Sequence, residues 1–97
     1  MALAATFKLL GDPTRLRILL RCRNSRTSVG DLADELKLDP SLVSQHLRLL
    51  RAGRIVSAQR VGKQVFYRLD DKHIETTLDD MVEHTNEIAV GRRVRSE

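Results

Sequence analysis

A chain of 97 residues is enough for one small domain (1–97), and a domain of that size leaves much apolar surface unburied unless it associates. Hydrophobic residues make up 41% and aromatics 3%, with no Trp, which predicts an aliphatic, helix-rich core. No apolar run reaches transmembrane length and no signal peptide is evident, so a cytoplasmic protein with no membrane partner and no small-molecule substrate is expected. The one cysteine, Cys22, excludes an internal disulfide framework and sits in an apolar and basic helix as a structural thiol. The net charge of +4 is unevenly spread: residues 1–69 hold 13 Lys/Arg against 5 Asp/Glu, and residues 70–91 hold 1 against 7. A basic body of this kind suits a polyanion partner.

In chain order, "ALAATFKLL" places Leu3, Phe7 and Leu10 at helical spacing before Gly11 stops it. Asp12-Pro13 starts a second helix, with Asp as N-cap and Pro at its first position. Its spacing predicts Leu16, Leu19 and Leu20 inside and Arg15, Arg17 and Arg21 outside. "RNSRTS" reads as a loop, and Ser28 caps "VGDLADELKL", whose Val29, Leu32, Leu36 and Leu38 form an apolar stripe. Asp31 and Asp34 lie near its start, where the helix dipole favours them. After a turn of about three residues, Asp39-Pro40 opens a helix that runs to about Ala52 and is closed by Gly53. The period then changes from 3.6 to 2: "RIVSAQR" and "QVFYRLD" flank Val61-Gly62-Lys63 and predict a hairpin. A last helix is expected from about Lys72 to Val90, ended by Gly91.

Two helices joined by a tight turn, the second rich in Ser, Gln, His and Arg, point to a helix-turn-helix at about 29–52. Leu42, Val43, Leu47, Leu49 and Leu50 are the expected core side of the second helix. Ser41, Ser44, Gln45 and Arg48 share its other side. No acidic residue occurs from Pro40 to Tyr67, so this surface can approach phosphates. Gln45 can read adenine, the serines can bond base edges or phosphates, and Arg48 and Arg51 suit phosphate. A solvated face of an ordinary bundle is the alternative for this helix alone. The hairpin at about 55–69 decides against it, because Arg60, Lys63 and Arg68 put positive charge on a narrow projection beside the helix. The expectation is a mainly α fold with a β-hairpin wing. His46 fits either the groove or a packing position beside Leu42 and Leu49, with packing favoured.

The stretches "LGDPTRLRILL", "VGDLADEL", "LVSQHLRLLRAGRIVSAQRVGKQVFYRL" and the ending "DKH…H..E" resemble the ArsR/SmtB family of metal-responsive bacterial repressors over nearly the whole chain, Leu3 to Glu87. The resemblance implies a winged-helix homodimer, joined through its first and last helices, that leaves its operator DNA when a ligand binds. Several members carry cysteine ligands near the start of the third helix; this chain reads "TSVGDL" there, so thiolate sensing at that place is not expected. The N-terminal arm that supplies ligands in other members is also not expected.

The last helix holds Asp71, His73, His84 and Glu87. His73 and His84 are eleven residues apart and share a face, since three turns take roughly 10.8 residues. They are also about 16 Å apart along the axis at 1.5 Å per residue. Metal–ligand bonds are about 2.0–2.2 Å, so one ion cannot join them within one chain. His84 and Glu87 are neighbours at i, i+3, and Asp71 and His73 are close if Asp71 precedes the helix. Two such helices packed antiparallel about a two-fold axis would complete two equivalent sites, each with two N and two O ligands, which suits tetrahedral Zn(II). Solvated caps and surface charges are the alternative on spacing alone. The resemblance implies the metal reading, because the family's zinc motif on the last helix is Asp-x-His, ten residues, then His-x-x-Glu or His-x-x-His. The expected function is a zinc-responsive repressor with two interface sites per dimer. A winged-helix regulator that answers to Co, Ni or Cd, or to no metal, is the alternative. An enzyme is not expected: catalytic zinc keeps an open position, four protein ligands leave none, and no nucleophile or base cluster accompanies them.

Overall fold

The computed structural model describes the backbone of residues 2–23 and 25–94 and the side chains of residues 2–23 and 25–85. Helices α1 (Ala2–Leu10) and α2 (Pro13–Cys22) precede a short strand β1 (Thr27–Ser28), then α3 (Val29–Leu36) and α4 (Pro40–Ala52). Strands β2 (Val56–Val61) and β3 (Gln64–Leu69) form the hairpin, and α5 (Lys72–Val94) closes the chain. The sheet order is β1-β3-β2, antiparallel throughout, with Val56 opposite Leu69 and Val61 opposite Gln64.

Side-chain caps set the helix starts. Asp12 accepts from the Thr14 and Arg15 amides at 2.8 and 3.0 Å, and Asp39 from the Ser41 amide at 2.7 Å. Ser28 accepts from the Asp31 amide at 3.2 Å. Each cap satisfies amide donors that the first helical turn would otherwise leave unpaired. The Arg15 amide bond holds the Asp12 carboxyl below its usual range. That stabilisation is present above the ordinary carboxylate pKa and is lost as pH falls through the lowered one.

Helix α3 ends earlier than its apolar stripe suggests. Lys37 takes a left-handed backbone (φ 57), and the Leu38 amide donates to the Ala33 carbonyl at 2.9 Å. This turns the chain within Lys37–Asp39 and leaves Leu38 half-buried against the core. A left-handed non-glycine residue costs roughly 1–2 kcal/mol, part of which glycine recovers. Lys37→Gly is therefore expected to raise stability by about 0.5–1 kcal/mol in a urea unfolding curve. At the end of α4 the left-handed residue is Arg54 (φ 61), not Gly53 (φ −81), and the Ile55 amide donates to the Leu50 carbonyl at 2.9 Å. At Gly53 the constraint is space instead: a β-carbon there would lie 2.5 Å from Leu9 Cδ1, the end of a side chain that would have to shift. In the hairpin, Gly62 (φ 63) is the first of two loop residues, the place a type II′ turn reserves for glycine.

The core is built from Ile18, Leu19 and Cys22 of α2, Leu32 and Ala33 of α3, and Val43, Leu47 and Leu50 of α4, closed by Ile55, Val56, Leu69 and Leu78. Two expected faces are corrected. In α2, Ile18 and Cys22 join Leu19 inside, whereas Leu16 and Leu20 are half-buried and turn toward α5. Arg15 and Arg21 are also half-buried rather than free, because Arg15 reaches the end of α1 and Arg21 pairs with Glu35. In α4, Leu42 and Leu49 are 38% and 48% exposed, because the core takes only the narrow stripe of Val43, Leu47 and Leu50. Burial pushes the Cys22 thiol up to about 12, so this fully buried sulfur packs and does not react.

Two boundaries also differ from the pattern. Thr27–Ser28, read as loop, pairs with Tyr67 and Phe66 of β3. Leu3 and Phe7 of α1, which share the helical spacing of Leu10, are 63% and 61% exposed. Helix α5 continues past Gly91 to Val94, since one glycine inside a helix costs only about 1 kcal/mol.

Candidate nucleic-acid interface and metal half-sites

Because α4 is seated by Val43, Leu47 and Leu50, its opposite face is fixed outward. Ser41, Gln45 and Arg48 are exposed and Ser44 is half-buried. Arg51 is exposed one turn further on. Burial along β2 falls from Val56 to Val61, so the hairpin end stands clear of the body with Arg60 and Lys63 exposed. Arg68 is exposed nearer the body. Among the described residues, none of Arg48, Arg60, Lys63 and Arg68 is ion-paired. An unpaired basic helix face beside an unpaired basic projection is an electrostatic footprint for a phosphate backbone.

Arg26 was not anticipated. Its guanidinium lies 5.0 Å from the centre of the Phe66 ring, and Nη1 donates to Gln59 Oε1 at 3.2 Å. It clips the base of the wing through a contact that exists only because Gln59 and Phe66 are paired across the hairpin. No local sequence signal marks it. Such an exposed cation–π contact contributes about 0.5–1 kcal/mol.

On α5, Asp71 precedes the helix and caps it. Its Oδ1 accepts from the His73 and Ile74 amides at 2.8 and 3.1 Å. Both bonds fall on Oδ1, which leaves Oδ2 for a further partner. The His73 ring is fully exposed, with Nδ1 3.8 Å from Asp71 Oδ1. His84 is exposed on the same helix. The side chain of Glu87, the fourth expected ligand, lies outside the described residues. Asp71 and His73 are thus brought together, and His84 is held apart from them by the helix. Among the described residues no group of three or more His, Cys, Asp or Glu could hold a metal ion. Asp79 has another task, since Arg23 Nη1 reaches its Oδ1 at 2.6 Å and ties α5 to the end of α2.

The observed cap role of Asp71 and its expected ligand role can be separated. Asp71→Asn keeps an N-capping oxygen and is expected to leave thermal stability within a few tenths of a kcal/mol, whereas Asp71→Ala loses about 1 kcal/mol. Both should weaken metal uptake, which paired melting curves and metal titrations will read.

Residues 12–58 match the model of the bacterial regulatory protein arsR family. The chain is 41% identical over 81 residues to the HTH-type transcriptional repressor SmtB of Mycobacterium tuberculosis, covering 84% of this chain and 60% of that protein. It is 36% identical over 88 residues to the HTH-type transcriptional regulator NmtR of the same organism, covering 91% of this chain and 73% of that one. The chain thus spans about 60% of the length of the SmtB relative. In fold it is similar to the solution structure of the homodimeric winged helix-turn-helix DNA-binding domain of Mb0332 from Mycobacterium bovis, with a TM-score of 0.81 at 23% identity over 89% of this chain and 80% of that one. In this fold α3 and α4 are the helix-turn-helix and the β2–β3 hairpin is the wing, and the chain belongs to the ArsR/SmtB family of bacterial winged-helix regulators.

Proposed function

We propose that the protein is a transcriptional repressor that binds operator DNA as a metal-free homodimer and is released when Zn(II) binds between the two α5 helices. The observation that carries this reading is the distribution of chemistry over one fold. One end presents an unpaired basic helix and wing, and α5 presents His73 and His84 on one face, too far apart to share an ion. Ser41, Ser44, Gln45 and Arg48 would enter the major groove, while Arg60 and Lys63 of the wing would hold backbone. The regulators among its relatives support this class, and nothing in the donor chemistry calls for catalysis.

Dimerisation follows from unburied apolar surface. Leu3 and Phe7 of α1 and Met81 of α5 are 63%, 61% and 54% exposed. Between α2 and α5 lies an apolar groove of about 260 Å³ lined by Leu16, Leu20, Leu78, Met81, Val82 and Thr85. The homodimeric state of the Mb0332 domain supports a second copy as the occupant of this surface. Two α5 helices running antiparallel would bring Asp71 and His73 of one chain to His84 and Glu87 of the other. Those residues form a set of two nitrogen and two oxygen donors. Their exposed rings and the free Asp71 oxygen fit Zn(II), which when bound would cross-link the helices. Binding of metal and of DNA are then linked, so each weakens the other by the same factor.

A DNA-binding titration against Zn(II), Co(II), Ni(II) and Cd(II), with metal counted per dimer, tests the proposal. Zn(II) should release DNA at two ions per dimer. Operator binding unchanged by every ion would leave a metal-independent regulator, and release by another ion alone would reassign the effector.

A further inference from the structure

The C-terminal turn of α1 is fastened to α4 at two points that neither the DNA-binding face nor the metal half-sites use. The first is Arg15. Its Nε donates to the Leu9 carbonyl at 2.8 Å, Nη2 to the Lys8 carbonyl at 3.5 Å, and Nη1 approaches His46 Nδ1 at 3.4 Å. A guanidinium only donates, so His46 Nδ1 is the acceptor in this contact. The second point is Gly53, where the missing β-carbon makes room for Leu9 Cδ1. His46 and Gly53 are seven residues apart, about two helical turns, so both lie on one flank of α4. Leu9 therefore touches that flank twice, with its side chain at Gly53 and through Arg15 at His46.

The two ends of this connection face different partners. Helix α1 turns Leu3 and Phe7 outward, where a second copy is proposed to dock, and α4 turns Ser41, Gln45 and Arg48 outward to DNA. We propose that the Leu9 turn is a rigid coupling between these surfaces, with Arg15 as the positioning residue that sets the angle of the recognition helix against the dimer axis. Lysine cannot replace it, because a single ammonium lacks the fork that spans the α1 carbonyls and His46 together. This inference rests on the proposed DNA-binding role.

The test uses the full chain and a duplex that the wild-type protein selects from a randomised pool. Arg15→Lys and Gly53→Ala should each lower affinity for that duplex about tenfold, with melting temperatures within a few degrees of wild type. The slope of log affinity against log salt should stay unchanged, since no phosphate contact is removed. His46→Leu should behave like Arg15→Lys, and the double variant should be no worse than either single one. His46→Gln, whose amide oxygen can accept from Arg15, should stay near wild type. A slope shallower by about one would make the residue a direct phosphate contact and overturn the inference. Losses that follow the melting temperature in Gly53→Ala as well as Arg15→Lys, or unchanged affinity in both, would overturn it too. If the wild-type protein selects no duplex, the DNA-binding reading fails and takes this inference with it.

Discussion

His84→Ala is expected to bind operator DNA as the wild type does and to ignore Zn(II). The side chain is exposed on α5 and has no hydrogen-bond partner among the described residues, so its removal should change stability by no more than about 0.5 kcal/mol. Among the described residues no hydrogen bond or ion pair joins His84 to α4 or to the β2–β3 hairpin, so both keep their contacts. Under the proposed function, what is lost is one of four ligands in both interface sites at once. Changes to residues that merely orient ligands already cost about 10–100-fold in metal affinity, so loss of a ligand should cost on the order of 100-fold or more. Competition with a chromophoric chelator measures that change, and fluorescence anisotropy of labelled operator measures release. Glu83→Ala, one residue away on the same exposed surface, should behave as wild type in both assays. Normal release of His84→Ala by zinc would remove this helix from the sensing site.

Leu47→Ala should be among the most damaging single truncations in α4. Leu47 is fully buried between Val43 and Leu50, on the stripe that seats α4. Large-to-small changes at such positions cost about 2–5 kcal/mol. Domains of this size have only about 5–15 kcal/mol in total. At about 4–8 °C per kcal/mol, the melting temperature should fall by at least 8 °C. Leu49→Ala, two residues on, should cost under about 1 kcal/mol, because Leu49 is 48% exposed. The two variants together test which leucines hold the helix, a point on which the apolar pattern and the packing disagree.

That disagreement shows what is legible in the chain and what is not. The Asp-Pro starts of α2 and α4 and the Ser28 cap can be read directly, because capping joins residues two or three apart. The hairpin can be read because its period is 2 and Gly62 occupies the turn position that needs it. Burial is harder. Leu42 and Leu49 look like core because helical spacing gives a face about five residues wide, whereas α4 meets the body along three. Leu3 and Phe7 share the helical spacing of Leu10, and spacing alone does not tell a core face from the exposed face they occupy. Strand β1 has only two residues, too few for any period, and the roles of Arg15 and Arg26 arise from contacts 31 and 33 residues away in sequence. For the metal half-sites, spacing alone is enough to exclude a single intrachain ion. The proposed sites also need a partner helix, which spacing within one chain cannot supply.

The claim that each metal site is built from two chains is tested most directly by complementation. One variant carries Asp71→Ala and His73→Ala; the other carries His84→Ala and Glu87→Ala. Either homodimer has a damaged half in both of its sites and should bind no zinc tightly. A mixed dimer, formed by unfolding and refolding the two together, contains one site with both halves damaged and one with both intact. One tight Zn(II) per mixed dimer should be recovered. Zinc binding that fails to return in the mixture, or that survives in either homodimer, would contradict the claim.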